Sequence, residues 1–187
     1  ALVIGPAVPA KDLAGFIAWA KAPGRKVSFG SPGSGTVPHL LGVEMGKEMG
    51  IQWTHVPYRG LALAMNDLAA GVVSAVVSTL TETLELHKAG RVRILATAGE
   101  ERSSFIEGIP TFKESGIDVD LSLWFVAYAR TGTPAAMLDR LRTALTTELR
   151  APALKQKFTS LGLVPAPNTP AEQLAFQQRE TAMWGRV

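Results

Sequence analysis

Ser31-Pro32-Gly33-Ser34-Gly35-Thr36 is a run without one bulky side chain, and it separates two patterned stretches. Upstream, Val27 and Phe29 alternate with Ser28, the two-residue period of a strand. Downstream, Val37, Leu41, Met45 and Met49 recur every four residues, as on a helix with one apolar face. Pro38 is tolerated only in a first helical turn, so the helix is expected to start near Thr36. Backbone N–H groups and the positive end of the helix dipole then point out of a small-residue loop. In physical terms that is an anion site. The same loop could do no more than turn the chain and cap the helix, and a lone glycine-rich turn does not choose between the two.

The spacing narrows the anion. Gly30 and Gly35 have the separation of a phosphate loop, but Thr36 and Val37 stand where Lys and Ser/Thr are needed. The dinucleotide fingerprint fails as well, because Pro38 stands where its third glycine belongs. A smaller anion with fewer charges, such as a carboxylate, fits better. Two other strand ends are polar, at Tyr58-Arg59 and at Ser78-Thr79. In open α/β sheets ligands sit at the carboxyl ends of strands. If the three strands are neighbours, hydroxyls, backbone N–H groups and one guanidinium converge on one crevice. Tyr58 can equally be an aromatic at the core edge, and Arg59 a solvated surface charge.

The histidines give no metal pattern. His39 falls in the first turn of the loop's helix, close to any bound anion, His55 on a strand face, and His87 late in a helix. No H-x-x-x-H or H-E-x-x-H pair exists, so no metal is expected. Ser31 and Ser34 do not fit G-x-S-x-G. Glu100-Glu101 lies in a loop, and Glu82 with Glu85 reads as a solvated helix face. The sequence therefore predicts no catalytic set, no cofactor and no enzyme.

The elements that must position these residues alternate. Strands are expected at Leu2–Gly5, Val27–Phe29, Ile51–Tyr58, Val72–Val77 and Val92–Ala98. Helices are expected from Leu13 to Ala20, from Thr36 to Met49, from Leu61 to Gly71 and over Thr81–Ala89 with Gly90 as cap. That order predicts an α/β domain with crossover connections. Glu100–Gly116 reads as a polar loop and Leu121–Ala129 as a further apolar strand. Helices follow: one opened by Thr133-Pro134 with the seam Leu138, Leu141, Leu145 and Leu149, one carrying Leu154, Phe158 and Leu161 and ending at Gly162, and one opened by the capping box Thr169-Pro170-Ala171-Glu172. Strands dominate before Trp124 and helices after it, which places a lobe boundary there.

Composition sets the limits. The chain has 187 residues, 47% hydrophobic, a formal charge of +3 and no cysteine. That is enough for one domain or two small lobes with a packed core. The basic residues are scattered, so no nucleic-acid surface is expected. Without cysteine there is no thiol catalysis, thiolate metal site or disulfide. No apolar run approaches a membrane span. The opening Ala-Leu-Val-Ile reads as the middle of a strand, so the chain is expected to be a piece of a longer one.

Ser28–Leu41 (SFGSPGSGTVPHLL), followed by His55-Val56-Pro57-Tyr58-Arg59-Gly60, resembles the Bug-type solute receptors of tripartite tricarboxylate transporters. Ala89–Ala98, Ile109-Pro110-Thr111, Trp124-Phe125 before Gly132-Thr133-Pro134, and Trp184-Gly185 resemble the same family in the same order. The resemblance implies a bilobal fold like the type II periplasmic binding proteins. Residues 1–124 would be the second lobe, and 125–187 the C-terminal, mostly helical part of a first lobe whose N-terminal part is missing. It implies a periplasmic receptor that closes on a small carboxylate and delivers it to membrane transporter subunits. The expected ligand-binding residues are Ser31, Gly33, Ser34, Gly35, Thr36, His39, Tyr58, Ser78 and Thr79. The family often has Asp-Asn where Ser78-Thr79 stand, so the family's contacts at the ligand's far end do not carry over to these positions. The alternative is an effector-sensing domain of a cytoplasmic transcriptional regulator. The isolated chain is expected to bind weakly and to self-associate through the Leu138–Leu149 seam.

Overall fold

A computed structural model of the chain describes residues 1–99, 101–119, 123–160 and 163–185. The chain divides into two compact units, Ala1–Leu123 and Trp124–Val187.

The first unit is a sheet covered by helices. In chain order it runs β1 (Leu2–Ile4), α1 (Leu13–Ala20), β2 (Val27–Ser31), α2 (Val37–Met49), β3 (Trp53–Pro57), α3 (Leu61–Ala69), β4 (Ala75–Val77), α4 (Leu80–Lys88) and β5 (Arg93–Ala96). A 3-10 turn at Lys113–Ser115 follows. The strand order is β3-β2-β4-β1-β5. The sheet has helices over it, so its central strands are apolar at every position: Leu2, Val3, Ile4, Ala75, Val76 and Val77 are all buried.

Direction differs from the expectation in one place. β2 runs parallel to β3 and β4, as crossovers require, but β1 is antiparallel to both β4 and β5. A short run buried on both faces looks the same read either way, so Leu2–Ile4 carries no signal of direction. Four strands are also shorter than expected, β1 and β5 only at their ends, β3 and β4 by more at their starts. Val72 turns outward at 65% exposure, and β4 starts only at Ala75. Ile51 is buried ahead of β3, which pairs with β2 only from Trp53.

Helix α2 lies close on β2 and β3 because its inner face carries glycine. A Cβ on Gly42 would come within 2.1 Å of the Phe29 ring, and one on Gly46 within 2.6 Å of the Trp53 indole nitrogen. The buried stripe is Leu41, Gly42, Met45, Gly46 and Met49, so the apolar repeat is interleaved with a glycine strip.

In the second unit, α5 (Ala135–Arg150), α6 (Pro152–Ser160) and α7 (Pro170–Trp184) follow one another. The capping box at α7 is formed: the Thr169 N–H donates to Glu172 Oε2 at 2.7 Å, and the Glu172 N–H to Thr169 Oγ1 at 3.3 Å. Trp124 and Trp184 both donate their indole N–H to Glu180 Oε2. The expected strand at Leu121–Ala129 is not there over residues 123–129, where Leu123, Phe125 and Tyr128 are exposed. Among the described residues no strand pairs with this stretch, and an unpaired backbone does not hold a ladder. Leu121, and the expected end of α6 at Leu161-Gly162, lie outside the described residues, as does Glu100. On α5, Leu138, Leu141 and Leu145 are 40%, 51% and 51% exposed.

Candidate functional site

Because β3, β2 and β4 are parallel neighbours, they end on one edge of the sheet, at Pro57, Ser31 and Val77. The loop after β2, Tyr58, and Ser78-Thr79 all leave from that edge.

The loop reaches α2 through Gly33 and Gly35, both at positive φ (144° and 74°), where a side chain would strain the backbone. Thr36 caps α2 in extended conformation, but its hydroxyl donates back to the Gly33 carbonyl at 2.8 Å instead of accepting from the helix. Pro38 has no N–H to satisfy. The Gly35 N–H donates to His39 Nδ1 at 3.1 Å. The N–H groups of Ser34, Thr36, Val37 and His39 are left without a protein acceptor among the described residues. Four unpaired donors therefore gather at the positive end of the helix dipole.

Beneath the loop lies a histidine that the sequence placed only on a strand face. The ring of His55 stacks on that of His39, with centroids 3.9 Å apart and planes inclined at 30°. His55 Nε2 lies 2.8 Å from the fully buried Ser31 Oγ, which also sits 3.1 Å from the Gly33 carbonyl. The carbonyl can only accept, so when the Ser31 hydroxyl donates to it, His55 Nε2–H donates to Ser31. Burial, and then the neighbouring His39, hold the His55 pKa below the ordinary histidine value. Phe29 and Trp53 continue the row, at 5.0 Å from His55 to Phe29 and 4.6 Å from Phe29 to Trp53. The sequence held a signal for His55: it alternates with Trp53 on β3, on the face that α2 covers.

The remaining expected residues sit along the edge in different states. The Tyr58 hydroxyl donates to Asp67 Oδ2 at 2.7 Å, and its ring lies against Gly30. Burial, with help from the Asp67 carboxylate, pushes its pKa up to about 12. Its proton therefore serves Asp67, and only the lone pairs of its oxygen remain available. Ser78 is buried, its N–H donates to the Ala1 carbonyl at 3.2 Å, and its hydroxyl donates to the Thr79 carbonyl at 3.3 Å. The Thr79 hydroxyl donates to Glu82. Arg59 is exposed and has no ion pair among the described residues. Hydrogen bonds join Ser31 and Thr36 to Gly33, and Gly35 to His39, and the His55–His39 stack links the two sets. Tyr58 meets this cluster through its backbone N–H, which donates to the Ser31 carbonyl at 3.0 Å, while Ser78 and Thr79 do not join it directly.

A serine beside a histidine suggests nucleophilic chemistry, but Ser31 has no exposed surface, and no carboxylate among the described residues orients His55. Nor do the described residues include three His, Asp or Glu grouped to hold a metal ion.

The profile of the tripartite tricarboxylate transporter family receptor, TctC, matches residues 1–187. The chain belongs to that family. A UPF0065 protein of Agrobacterium vitis, from the TAR-I ttuE-ttuC' intergenic region, is 34% identical over 90% of this chain and 49% of its own length. BugT of Bordetella pertussis is 29% identical over 100% of this chain and 57% of its own. The solved structure of R. palustris Rpa4515 with adipate superposes with a TM-score of 0.87 at 27% identity, covering 99% of this chain and 62% of that one. The chain thus spans about half the length of the curated relatives it matches. The fold is that of the TctC and Bug periplasmic binding proteins, in part of its length. The alternative of a regulator's sensing domain gains no support from these relatives.

Proposed function

We propose that the protein is the periplasmic receptor of a tripartite tricarboxylate-type transporter, that it takes up a small carboxylate, and that it hands it unaltered to the membrane subunits. The observation that carries this reading is the set of four unpaired N–H groups at the N-terminus of α2, in a loop without the lysine of a phosphate loop. Neutral donors on a helix dipole suit one carboxylate better than a polyphosphate. Ser31, Gly33, Ser34, Gly35, Thr36 and His39 form the proposed anion cradle. Tyr58, Ser78 and Thr79 line the edge beside it and would meet the rest of the ligand. The relative solved with adipate makes a dicarboxylate the first class to test. Residues 1–124 are assigned to the lobe that carries this cradle and 125–187 to part of the opposing lobe, with no chemistry on the ligand.

Calorimetric titration of the full-length protein with adipate, succinate, monocarboxylates, phosphate and neutral sugars tests the reading. Carboxylates should bind and be recovered unchanged. Binding of phosphate or sugars with no carboxylate bound would overturn it.

A further inference from the structure

The stacked histidines do more than fill space. His39 Nδ1 accepts the Gly35 N–H at 3.1 Å, so in this structure that nitrogen carries no proton and that N–H is engaged. A proton arriving on His39 Nδ1 breaks the bond, because a protonated nitrogen cannot accept. The Gly35 N–H is then released, between the unpaired N–H groups of its chain neighbours Ser34 and Thr36. His55, 3.9 Å away and bonded to Ser31, cannot gain a second proton without setting two cations face to face. A single imidazolium on a neutral ring is the arrangement the stack favours.

We propose that His39 and His55 act as a one-proton unit. Binding of a carboxylate at the N-terminus of α2 draws one proton onto His39, frees the Gly35 N–H for the anion, and leaves His55 neutral beneath. The inference rests on the carboxylate-receptor reading and adds to it how binding depends on pH. The surroundings leave the anion as the partner for that charge. β2 presents Phe29 and Ser31 to the pair, Trp53 of β3 packs on Phe29, and the loop presents neutral groups. The nearest paired charges of α2, Glu44 and Lys47, bond to each other at 3.1 Å. Glu48 and Arg59 are exposed, with no bond to either ring. The sign follows from linkage. Affinity is greatest at low pH, where the free pair already holds its proton, and falls as pH rises until the bound pair loses it.

The test is adipate titration of the full-length protein from about pH 6.5 to 8.5, where carboxylates stay ionised, in two buffers of different ionisation heat. The expected result is uptake of about one proton per adipate, with affinity falling by up to about tenfold per pH unit inside the window. His39→Gln should abolish both the uptake and the pH dependence. Imidazole NMR of the unaltered protein, which needs no variant, should show one ring and not two becoming protonated on adding adipate. Adipate binding with no proton uptake, or with both rings protonated, overturns this inference and leaves the receptor reading intact. Failure of adipate, succinate and every other acid to bind overturns both.

Discussion

The Trp53 indole N–H donates to the Gly42 carbonyl at 3.1 Å, tying β3 to the middle of α2. The bond is possible because Gly42 and Gly46 leave a strip of α2 without side chains. That strip sets the height of the helix over the sheet. Trp53 and His55 share a face of β3, and the same approach that seats the indole brings His39 onto His55 at 3.9 Å. The anion cradle therefore depends on two glycines about one and a half and two and a half turns along α2 from its loop.

Gly42→Ala should destabilise the protein even though alanine is the better helix former. The propensity gain is up to about 1 kcal/mol. The new methyl would meet the buried Phe29 ring at 2.1 Å, and overpacking of this kind costs about 1–3 kcal/mol. Urea unfolding should show a lower midpoint, partly restored by Phe29→Leu in the same chain. An unchanged midpoint would mean that α2 lifts freely from β2.

The alternation of strands and helices in residues 1–98 was legible because each element repeats its period for several residues. So was the start of α2, since Pro38 admits few alternatives. The direction of β1 was not legible, because three buried apolar residues look alike in both directions. His55 was placed on its strand face, but its partners were not legible: Ser31 and His39 come from a neighbouring strand and a helix, and no local spacing joins them. The sequence put hydroxyls at the strand ends correctly but could not say which were already bonded. Tyr58 to Asp67 joins a strand end to α3, a contact that only coordinates reveal, while Thr79 to Glu82 falls on the Thr-x-x-Glu spacing at the start of α4.

Tyr58→Phe should cost about 1.5–3 kcal/mol, the range for a hydrogen bond to a charged acceptor, with the ring packing on Gly30 kept. The pH dependence has a sign. The folded-state pKa of Tyr58 is raised to about 12, above the unfolded value near 10. Its contribution is present below about pH 10 and is lost as pH rises towards 12. Denaturation followed into the alkaline range should show this loss in the wild type and not in Tyr58→Phe.

His55 gives the opposite slope in acid. Its folded-state pKa is depressed, so the unfolded chain binds its proton first. The contribution is present above the unfolded pKa of about 6.5 and is lost as pH falls through the lower folded value. His55→Gln should flatten that part of the stability profile. An identical acid slope in the variant would show that other groups dominate.

On α5, Leu138, Leu141 and Leu145 stand 40%, 51% and 51% exposed on one side of the helix. Leu141→Gln in the 187-residue chain should leave stability within about 0.5 kcal/mol, as for an exposed site. It should also lower self-association by light scattering, because contiguous exposed apolar surface drives it. A loss of about 2 kcal/mol or more would mean that this leucine is buried in the species studied.

Ser31 and Thr36 should prove coupled, because both hydroxyls reach the Gly33 carbonyl, at 3.1 and 2.8 Å. Thr36→Val alone removes one of two donors, and Ser31 still covers the carbonyl, so its cost should be about 0.5–1.5 kcal/mol. Ser31→Ala also strips His55 Nε2 of its partner, at 2.8 Å, and leaves a half-buried polar group unpaired, which costs about 1–3 kcal/mol. In the double variant the Gly33 carbonyl loses both donors while the loop must still hold Gly33 at a φ of 144°. The double variant should therefore lose more than the sum of the singles, by about 0.5 kcal/mol or more, the range for residues that share a partner. A thermodynamic cycle from urea unfolding measures that excess, and carboxylate titration of the same proteins shows whether the loop holds its N–H groups in place. Strict additivity would mean that water replaces the missing donors and that the loop keeps its shape without either hydroxyl.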